Sequence, residues 1–177
     1  MKVGVFLTNQ HPPGSDMVSA LDDQYVMTRL ARDRGWDAVA TGQHYLSEGI
    51  SQLQLVPFLA RLAAEAGHMT GIAGILLAGL HNPVEVAECI ASLDVIWRGN
   101  FVFGVGLGYR DVEFDAFKVP KGRRVRRFEE CLDVVKRLWT EDKVSVDNDV
   151  CTLSSVTLTC RPVQQPHPPI WVAANSD

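Results

Sequence analysis

The chain has 177 residues, of which 46% are hydrophobic and 21% charged, with a formal net charge of −4 at pH 7. This length suffices for one domain with a sizeable core, and the acidic balance gives no general attraction to nucleic acid or anionic membranes. No apolar run approaches the roughly 20 residues that span a bilayer, and the N-terminal run is too short for a signal peptide, so we expect a cytoplasmic protein.

The first third of the chain alternates short apolar runs with a helical pattern. Residues 2–7 (KVGVFL) and 36–41 (WDAVAT) predict buried strands. A helix between them is predicted to begin near Ser19, because Ser19 and Asp22 resemble a capping box. Gly35 is expected to end that helix.

Two further strand–helix units follow. The second helix ends at Gly67 and carries one apolar face, made of Leu55, Leu59, Leu62 and Ala66. Residues 69–77 (MTGIAGILL) predict a third strand. Asn82 is a capping residue and Pro83 suits the first position of the third helix. The buried stripe of that helix is predicted to contain Val86, Ile90, Leu93 and Trp97.

The fourth strand is the fully apolar run that begins at Phe101 and turns glycine-rich at its end. A fourth helix is predicted after Gly122, with an apolar stripe of Val125, Phe128, Leu132, Val135 and Trp139. Residues 144–168 are expected to form an excursion of hairpin character, because alternation is interrupted by an Asp-Asn-Asp turn. Residues 169–174 predict a fifth strand.

The four cysteines are Cys89, Cys131, Cys151 and Cys160. They form no CxxC pair, and no histidine lies at zinc-finger spacing from them, so no metal site is predicted. We expect reduced, mostly buried thiols in preference to a Cys151–Cys160 bridge.

The spacing of the strands indicates the fold. The first four strands begin near positions 2, 36, 69 and 100, at intervals of about 31 to 34 residues. Parallel strands joined by helical crossovers give either a (β/α)8 barrel or an open doubly wound sheet. A barrel needs eight units and about 250 residues. The sequence therefore favours an α/β fold: the first half of a (β/α)8 TIM barrel, with five strands and four helices in one partial domain over 1–177.

In both architectures functional residues gather beyond the carboxyl ends of the strands. His44 is the only titratable group immediately after the second strand, and it is interpreted either as an acid/base or as a structural histidine. The series Gly104, Gly106 and Gly108 has the spacing GxGxG instead of the dinucleotide motif GxGxxG. Close backbone packing explains these glycines at least as well as nucleotide binding.

A basic run opens the fourth helix and consists of Lys121, Arg123, Arg124, Arg126 and Arg127. Positive charge there opposes the helix dipole, so the run needs local compensation. Ion pairs with nearby acidic residues are favoured over a phosphate or nucleic-acid site, because the chain is acidic overall.

Three segments together resemble the bacterial-luciferase-like flavin monooxygenases. They are HNPVEVAECIASLDVIWRGNFVFGVGLGYRDVEFDAF, RRFEECLDVVKRLW and QQPHPPIWVAANS, and the runs KVGVFL and WDAVATGQHY fit the same family. The resemblance implies the N-terminal half of a (β/α)8 barrel that binds reduced FMN or the related deazaflavin (coenzyme F-420). FMN members oxygenate a substrate with dioxygen and deazaflavin members mostly transfer hydride, so we expect a small-molecule substrate and no nucleic-acid or membrane partner.

The resemblance also implies site residues. His44 matches the catalytic histidine, and Ala73-Gly74 matches a non-proline cis peptide beneath the flavin ring. Gly106, Leu107, Gly108 and Tyr109 lie where the family approaches the cofactor, and Asn175 and Ser176 match the loop that holds the flavin phosphate. Position 107 is Leu where luciferase has a phosphate-binding Arg, and Arg110 is close enough in sequence to replace it.

Two other interpretations stay open from the sequence. One is a non-catalytic flavin-binding protein or degenerate truncated homologue, and the other is an open-sheet nucleotide-binding domain. A half barrel would have free edges at its first and fifth strands. We therefore expect a homo-oligomer or pairing with the missing half of the barrel.

Overall fold

The computed structural model describes residues 1–174, which form a parallel sheet, a layer of helices and a separate hairpin. The strands are β1 (Gly4–Leu7), β2 (Ala38–Thr41), β3 (Thr70–Ala73), β4 (Phe101–Val105), β5 (Val144–Asp147), β6 (Thr152–Val156) and β7 (Ile170–Val172). The helices are α1 (Met17–Asp33), α2 (Leu55–Ala66), α3 (Pro83–Ile96), α4 (Asp111–Ala116) and α5 (Arg124–Thr140).

The sheet has five parallel strands in the order β1-β2-β3-β4-β7. β2, β3 and β4 therefore each pair with the strand directly before them in the chain. A doubly wound sheet would reverse its strand order at a switch point, and no reversal occurs among the described residues. The carboxyl ends of all five strands share one edge, which is where the candidate site lies.

The two faces of the sheet differ strongly in burial. One face is covered by the helices and carries Leu7, Val39 and Phe103, each at most 1% exposed. The opposite face is not covered by helices, and Phe6 and Trp171 on it are 54% and 57% exposed. The single helix-covered face agrees with a portion of a barrel wall and disagrees with the open sheet layered on both sides.

Helix starts follow the capping residues. In α3, the Asn82 side chain accepts a hydrogen bond from the backbone N–H of Val84 at 2.9 Å, and Pro83 is the first helical residue, as predicted. The predicted capping box at Ser19 and Asp22 is wrong. Asp16 caps α1 instead, because its carboxylate accepts from the N–H groups of both Val18 and Ser19.

The third strand is shorter than predicted. The regular strand β3 ends at Ala73, although Leu76 still forms a single parallel bridge to Val105 of β4 before a 3₁₀ turn at Ala78–Leu80. The non-proline cis peptide lies between Gly74 and Ile75 and not between Ala73 and Gly74. The predicted position was one bond early. The N–H of Gly74 donates to the Thr41 carbonyl at 2.7 Å, and after the cis peptide Leu76 donates to the Gly104 carbonyl of β4 at 2.8 Å.

Two features near the basic run differ from the sequence-based prediction. The short helix α4 was not predicted, and Val125 lies at 49% exposure instead of on the buried stripe of α5. Val125 sits in the first turn of α5, before the helix reaches the core. Ion pairs occupy the run as expected: Lys121 with Asp111, and Arg123 and Arg126 with Asp149.

The excursion before the last strand is the antiparallel hairpin β5–β6, with its turn at Asn148, as predicted. The following loop is anchored to α3 by Asp94, which is fully buried. Its carboxylate accepts from the backbone N–H groups of Val163 and Gln164 at 2.6 and 3.0 Å, and from the Gln164 side chain at 2.6 Å. This anchor places β7 beside β4.

The described cysteines are all free thiols: Cys131 is buried, Cys89 and Cys151 are partly buried, and Cys160 is exposed. Burial raises the pKa of Cys131 to about 12. Among residues 1–174 no helix has the length and apolar character needed to cross a membrane.

Candidate active site at the carboxyl ends of the strands

The site is built on the loop that follows β2. The backbone N–H of His44 donates to the Gln52 side chain at 3.0 Å, and the Gln52 amide donates to the Gly42 carbonyl at 3.3 Å. His44 lines a cavity of about 120 Å³ together with Phe6, Thr8, Gly42, Gly74 and Ile75. The histidine that the sequence singled out therefore borders a cavity at the carboxyl ends of three adjacent strands, β1, β2 and β3.

Glu113 holds the His44 ring from behind. This residue of α4 is fully buried, and its Oε1 lies 3.1 Å from His44 Nδ1 and 2.9 Å from the backbone N–H of Tyr45. A carboxylate oxygen that accepts from Nδ1 requires a hydrogen on that nitrogen. The pairing therefore leaves Nε2 as the ring nitrogen available to a bound molecule.

Arg110 forms hydrogen bonds with the three residues that follow His44. Its guanidinium donates to the Tyr45 carbonyl at 2.8 Å, to Ser47 Oγ at 3.0 Å and to the Leu46 carbonyl at 3.3 Å. The same group lies 3.5 Å from Glu113 Oε1. Because these contacts occupy Arg110, the structure gives no support to its serving as the replacement phosphate ligand.

The residues of the glycine-rich stretch after β4 differ in burial and in their contacts. Gly106 is buried and donates to the Leu76 carbonyl at 3.1 Å, while Leu107 is partly buried against the main core. Gly108 has a φ of +75°, a conformation that glycine adopts without penalty. Tyr109 is 69% exposed and its ring lies edge-on to the His44 ring, with centroids 5.8 Å apart. Tyr109 is therefore the member of this stretch that accompanies His44.

The predicted cofactor-binding residues are thus brought together only in part. Gly74 lines the cavity with His44, whereas Ala73 is 1% exposed and is not part of that lining. Ile75, which was not predicted, takes a place in the wall. The predictions for Asn175 and Ser176 lie outside the described residues.

Tyr45 points to the other side of the loop. Its hydroxyl lies 2.8 Å from His81 Nε2, and Phe117 packs edge-on against both rings. Burial raises the pKa of Tyr45 to about 12 and lowers the pKa of His81. Tyr45 and His81 therefore form a hydrogen-bonded contact between neutral side chains, and this contact braces the loop that carries His44.

The cavity beside His44 fits one end of a flat ring system. Its wall contains two glycines, and a Cβ on Gly74 would lie 3.0 Å from the Phe6 ring. Gln10 and Gln52 also line the cavity and bring amide groups to it. A wall of small residues combined with hydrogen-bonding side chains suits the isoalloxazine ring of a flavin.

Glu113 was the functional residue that sequence reasoning missed. It was grouped with acidic residues that compensate the basic run, since three acidic residues alternate with apolar ones at 111–115. Its two apolar neighbours give no consistent signal, because Phe114 is buried whereas Val112 is 42% exposed. Its burial partner, His44, is 69 residues away, a pairing that no local pattern reveals.

The chain matches the sequence model of a family described as luciferase-like monooxygenase over residues 1–177. The oxygenase component of the flavin-dependent trigonelline monooxygenase from Acinetobacter baylyi is 29% identical over 161 residues, which are 86% of this chain and 43% of that protein. The chain therefore spans about half the length of such relatives.

Solved structures agree on the fold. The monooxygenase RslO1 from Streptomyces bottropensis has a TM-score of 0.91 at 29% identity, covering 99% of this chain and 54% of its own. The FMN complex of the oxygenating constituent of 3,6-diketocamphane monooxygenase from Pseudomonas putida has a TM-score of 0.88 at 16% identity, covering 97% and 51%. An F420-dependent secondary alcohol dehydrogenase has a TM-score of 0.76 at 18% identity, covering 97% and 51%.

These matches confirm that the five-stranded sheet is part of a TIM barrel and that the neighbours include users of FMN and of F420. They agree with the helix-covered wall of the sheet, and the family model covers all 177 residues. The chain belongs to the luciferase-like monooxygenase family.

Proposed function

We propose that the chain forms the flavin-binding wall of an oxidoreductase that uses reduced FMN and dioxygen to oxygenate a small molecule. The observation that carries this proposal is the His44–Glu113 pair at the edge of a glycine-lined cavity. The family membership supports a flavin as the cofactor class. Deazaflavin-dependent hydride transfer is the second candidate, because an F420-dependent dehydrogenase shares the fold.

His44 is proposed as the catalytic residue. With Nδ1 tied to Glu113, its Nε2 is free to accept or donate a proton at the reactive edge of the flavin. Gly74 and Ile75 would support the ring, and Tyr109 would shield the histidine from solvent on one side. The flavin supplies the redox chemistry, and these residues supply orientation and a controlled proton. Gly106 and Gly108 are proposed to keep the backbone close to the cofactor, and Asn175 and Ser176 to bind its phosphate.

The uncovered inner face requires a cover in the working enzyme. Phe6 and Trp171 expose more than half of their surface there, and β1 and β7 leave two free sheet edges. We propose that further barrel strands complete this face, since the chain spans about half of its relatives. Homo-oligomerisation through the helix layer is proposed as well.

The test uses the full chain with reduced FMN and with reduced F420. Binding is followed by flavin fluorescence, and reoxidation of the bound flavin is followed by absorbance after mixing with dioxygen. We expect the unaltered chain to bind reduced FMN and reoxidise it. The His44→Ala variant should bind FMN with nearly unchanged affinity but reoxidise it much more slowly.

Three other results would contradict the proposal. Binding of F420 without FMN would favour hydride transfer. FMN binding with reoxidation that is identical in the His44→Ala variant would favour the non-catalytic flavin-binding interpretation. Binding of neither flavin would remove the cofactor assignment.

A further inference from the structure

We propose that Arg110 is a positioning residue for His44, holding both the backbone that carries the histidine and the carboxylate that orients its ring. The inference rests on the proposed role of His44 and extends it to a residue outside the cavity. Arg110 is not one of the residues that line the cavity, and its polar contacts are with Tyr45, Leu46, Ser47 and Glu113.

The backbone turn after His44 depends on hydrogen bonds from a residue outside the loop. Leu46 has a φ of +50°, which an L-residue with a branched side chain rarely adopts, and its side chain is 65% exposed. Packing of Leu46 itself therefore does not fix this turn. Arg110 donates to the carbonyl oxygens of Tyr45 and Leu46, on both sides of the peptide where the chain turns. The guanidinium thus stabilises the turn through the carbonyl groups of two successive residues.

The ring of His44 depends on the same guanidinium. Glu113 is fully buried, and a buried carboxylate is costly unless charged or polar groups compensate it. Within residues 1–174, Arg110 is the one guanidinium or ammonium within 4.0 Å of it, at 3.5 Å. The nearby Lys121 pairs with Asp111, and Arg127 donates to the Gly79 carbonyl. Arg110 therefore supplies the positive charge that keeps the Glu113 carboxylate available to His44 Nδ1.

The contacts of Arg110 with the loop and with Glu113 require the planar guanidinium group. Arg110 reaches three acceptors in the loop and a fourth group in α4 through two terminal nitrogens. A lysine ammonium keeps the charge but is a single point on a flexible stem, so it cannot span these acceptors in one geometry. Arg110→Lys therefore separates charge from geometry, and Arg110→Gln removes the charge and most donors.

The primary measurement is made without flavin. Long-range ¹⁵N NMR of the His44 ring, assigned by comparison with His44→Ala, reports which ring nitrogen carries hydrogen. We expect a single form with hydrogen on Nδ1 in the unaltered protein, a mixture of tautomers in Arg110→Gln, and partial retention of the single form in Arg110→Lys. Arg123→Gln, at an arginine whose side chain is 70% exposed, is the matched control and should leave the His44 signals unchanged.

A second measurement follows reoxidation of bound reduced FMN. We expect Arg110→Gln to slow the His44-dependent rate by up to about a hundredfold, the scale of a misplacement of about 1 Å. The double variant His44→Ala/Arg110→Gln should be no slower than His44→Ala alone, because residues that act as one unit are not additive.

Unchanged ring signals in Arg110→Gln with a lowered urea midpoint would overturn the inference and leave Arg110 a purely structural residue. A further loss of rate in the double variant would overturn it too. If Arg110→Gln does not fold, the Arg110→Lys spectrum decides the question: ring signals identical to those of the unaltered protein would exclude the geometric role. A His44→Ala variant with full activity would refute the proposed function, while the ring signals would still test Arg110.

Discussion

The Nδ1 atom of His44 lies 3.1 Å from Oε1 of Glu113, although 69 residues separate the two in the chain. The loop after β2 supplies the histidine and the short helix α4 supplies the carboxylate. Packing of α4 over the end of the sheet therefore decides how the histidine ring is turned. The contact makes the site a product of two strand–helix units and not of one.

Replacing Glu113 with Gln should slow His44-dependent flavin reoxidation by roughly 10- to 100-fold, by analogy with the loss of the hydrogen-bonding partner of a metal-bound histidine. The amide keeps the shape of the carboxylate but gives up its charge and one acceptor. Stopped-flow absorbance measures the rate. Glu129→Gln, at an exposed glutamate of α5, is the control and should match the unaltered protein. An unaltered rate in Glu113→Gln would show that the pair is structural.

Gly104→Ala should destabilise the fold by about 1–3 kcal/mol or more, the usual cost of overpacking. A Cβ at this position would collide with the backbone carbonyl of Ala73 on the neighbouring strand. Gly122→Ala is the matched control, because a Cβ there meets nothing within 4 Å. Urea denaturation followed by circular dichroism compares the two. Equal midpoints would mean that β3 and β4 separate at little cost.

The free energy of unfolding should depend on pH through His81. Burial lowers the pKa of His81 below its ordinary value of 6.5 in the folded protein. As pH falls through 6.5, the unfolded chain therefore binds the proton first, and the stability that is present above this pH is progressively lost. We expect the urea midpoint to fall between about pH 7.5 and about pH 5.5.

The His81→Gln variant separates this titration from those of other groups. Its midpoint should fall less over the same pH range, because glutamine keeps a hydrogen-bonding partner for Tyr45 and does not titrate. His68→Gln, at an exposed histidine, should retain the slope of the unaltered protein. Identical slopes for His81→Gln and the unaltered protein would contradict the prediction.

Asp94→Asn should loosen the loop before β7. The buried carboxylate accepts three hydrogen bonds from Val163 and Gln164, and leaving such groups unpaired costs about 1–3 kcal/mol. Hydrogen exchange followed by NMR should show faster exchange of the Val163 and Gln164 amides. Asp133→Asn, at an exposed position of α5, is the control. Unchanged protection of these amides would mean that strand pairing, and not Asp94, holds the loop.

Local chemistry made much of the fold predictable. The Asn82–Pro83 helix start, the apolar face of α2 and the fully buried β4 follow from patterns within a few residues, and the structure confirms them. The predicted start of α1 was wrong because Asp16 and Ser19 are both good capping residues, and in the structure Asp16 is the N-cap. Local sequence does not distinguish two such neighbours.

The site was less predictable because its contacts are distant in sequence. His44 was singled out by its place after a strand, but Glu113 and Arg110 acquire their roles only when α4 packs beside the β2 loop. Glu113 in sequence resembles its exposed neighbour Asp111, since both lie in the same short acidic segment. Burial separates them, and burial is set by the whole sheet.

The sequential order of the sheet has a consequence for how the molecule folds. β2, β3 and β4 each pair with the strand directly before them in the chain, so each new pairing closes a loop of one strand–helix unit. During synthesis, β1 and β2 can pair before β3 has left the ribosome. The free edge of the last paired strand is then available to the next strand. The loop that bears His44 therefore belongs to the first two strand–helix units, whereas Arg110 and Glu113, which contact this loop, follow β4 and are synthesised about 65 residues later.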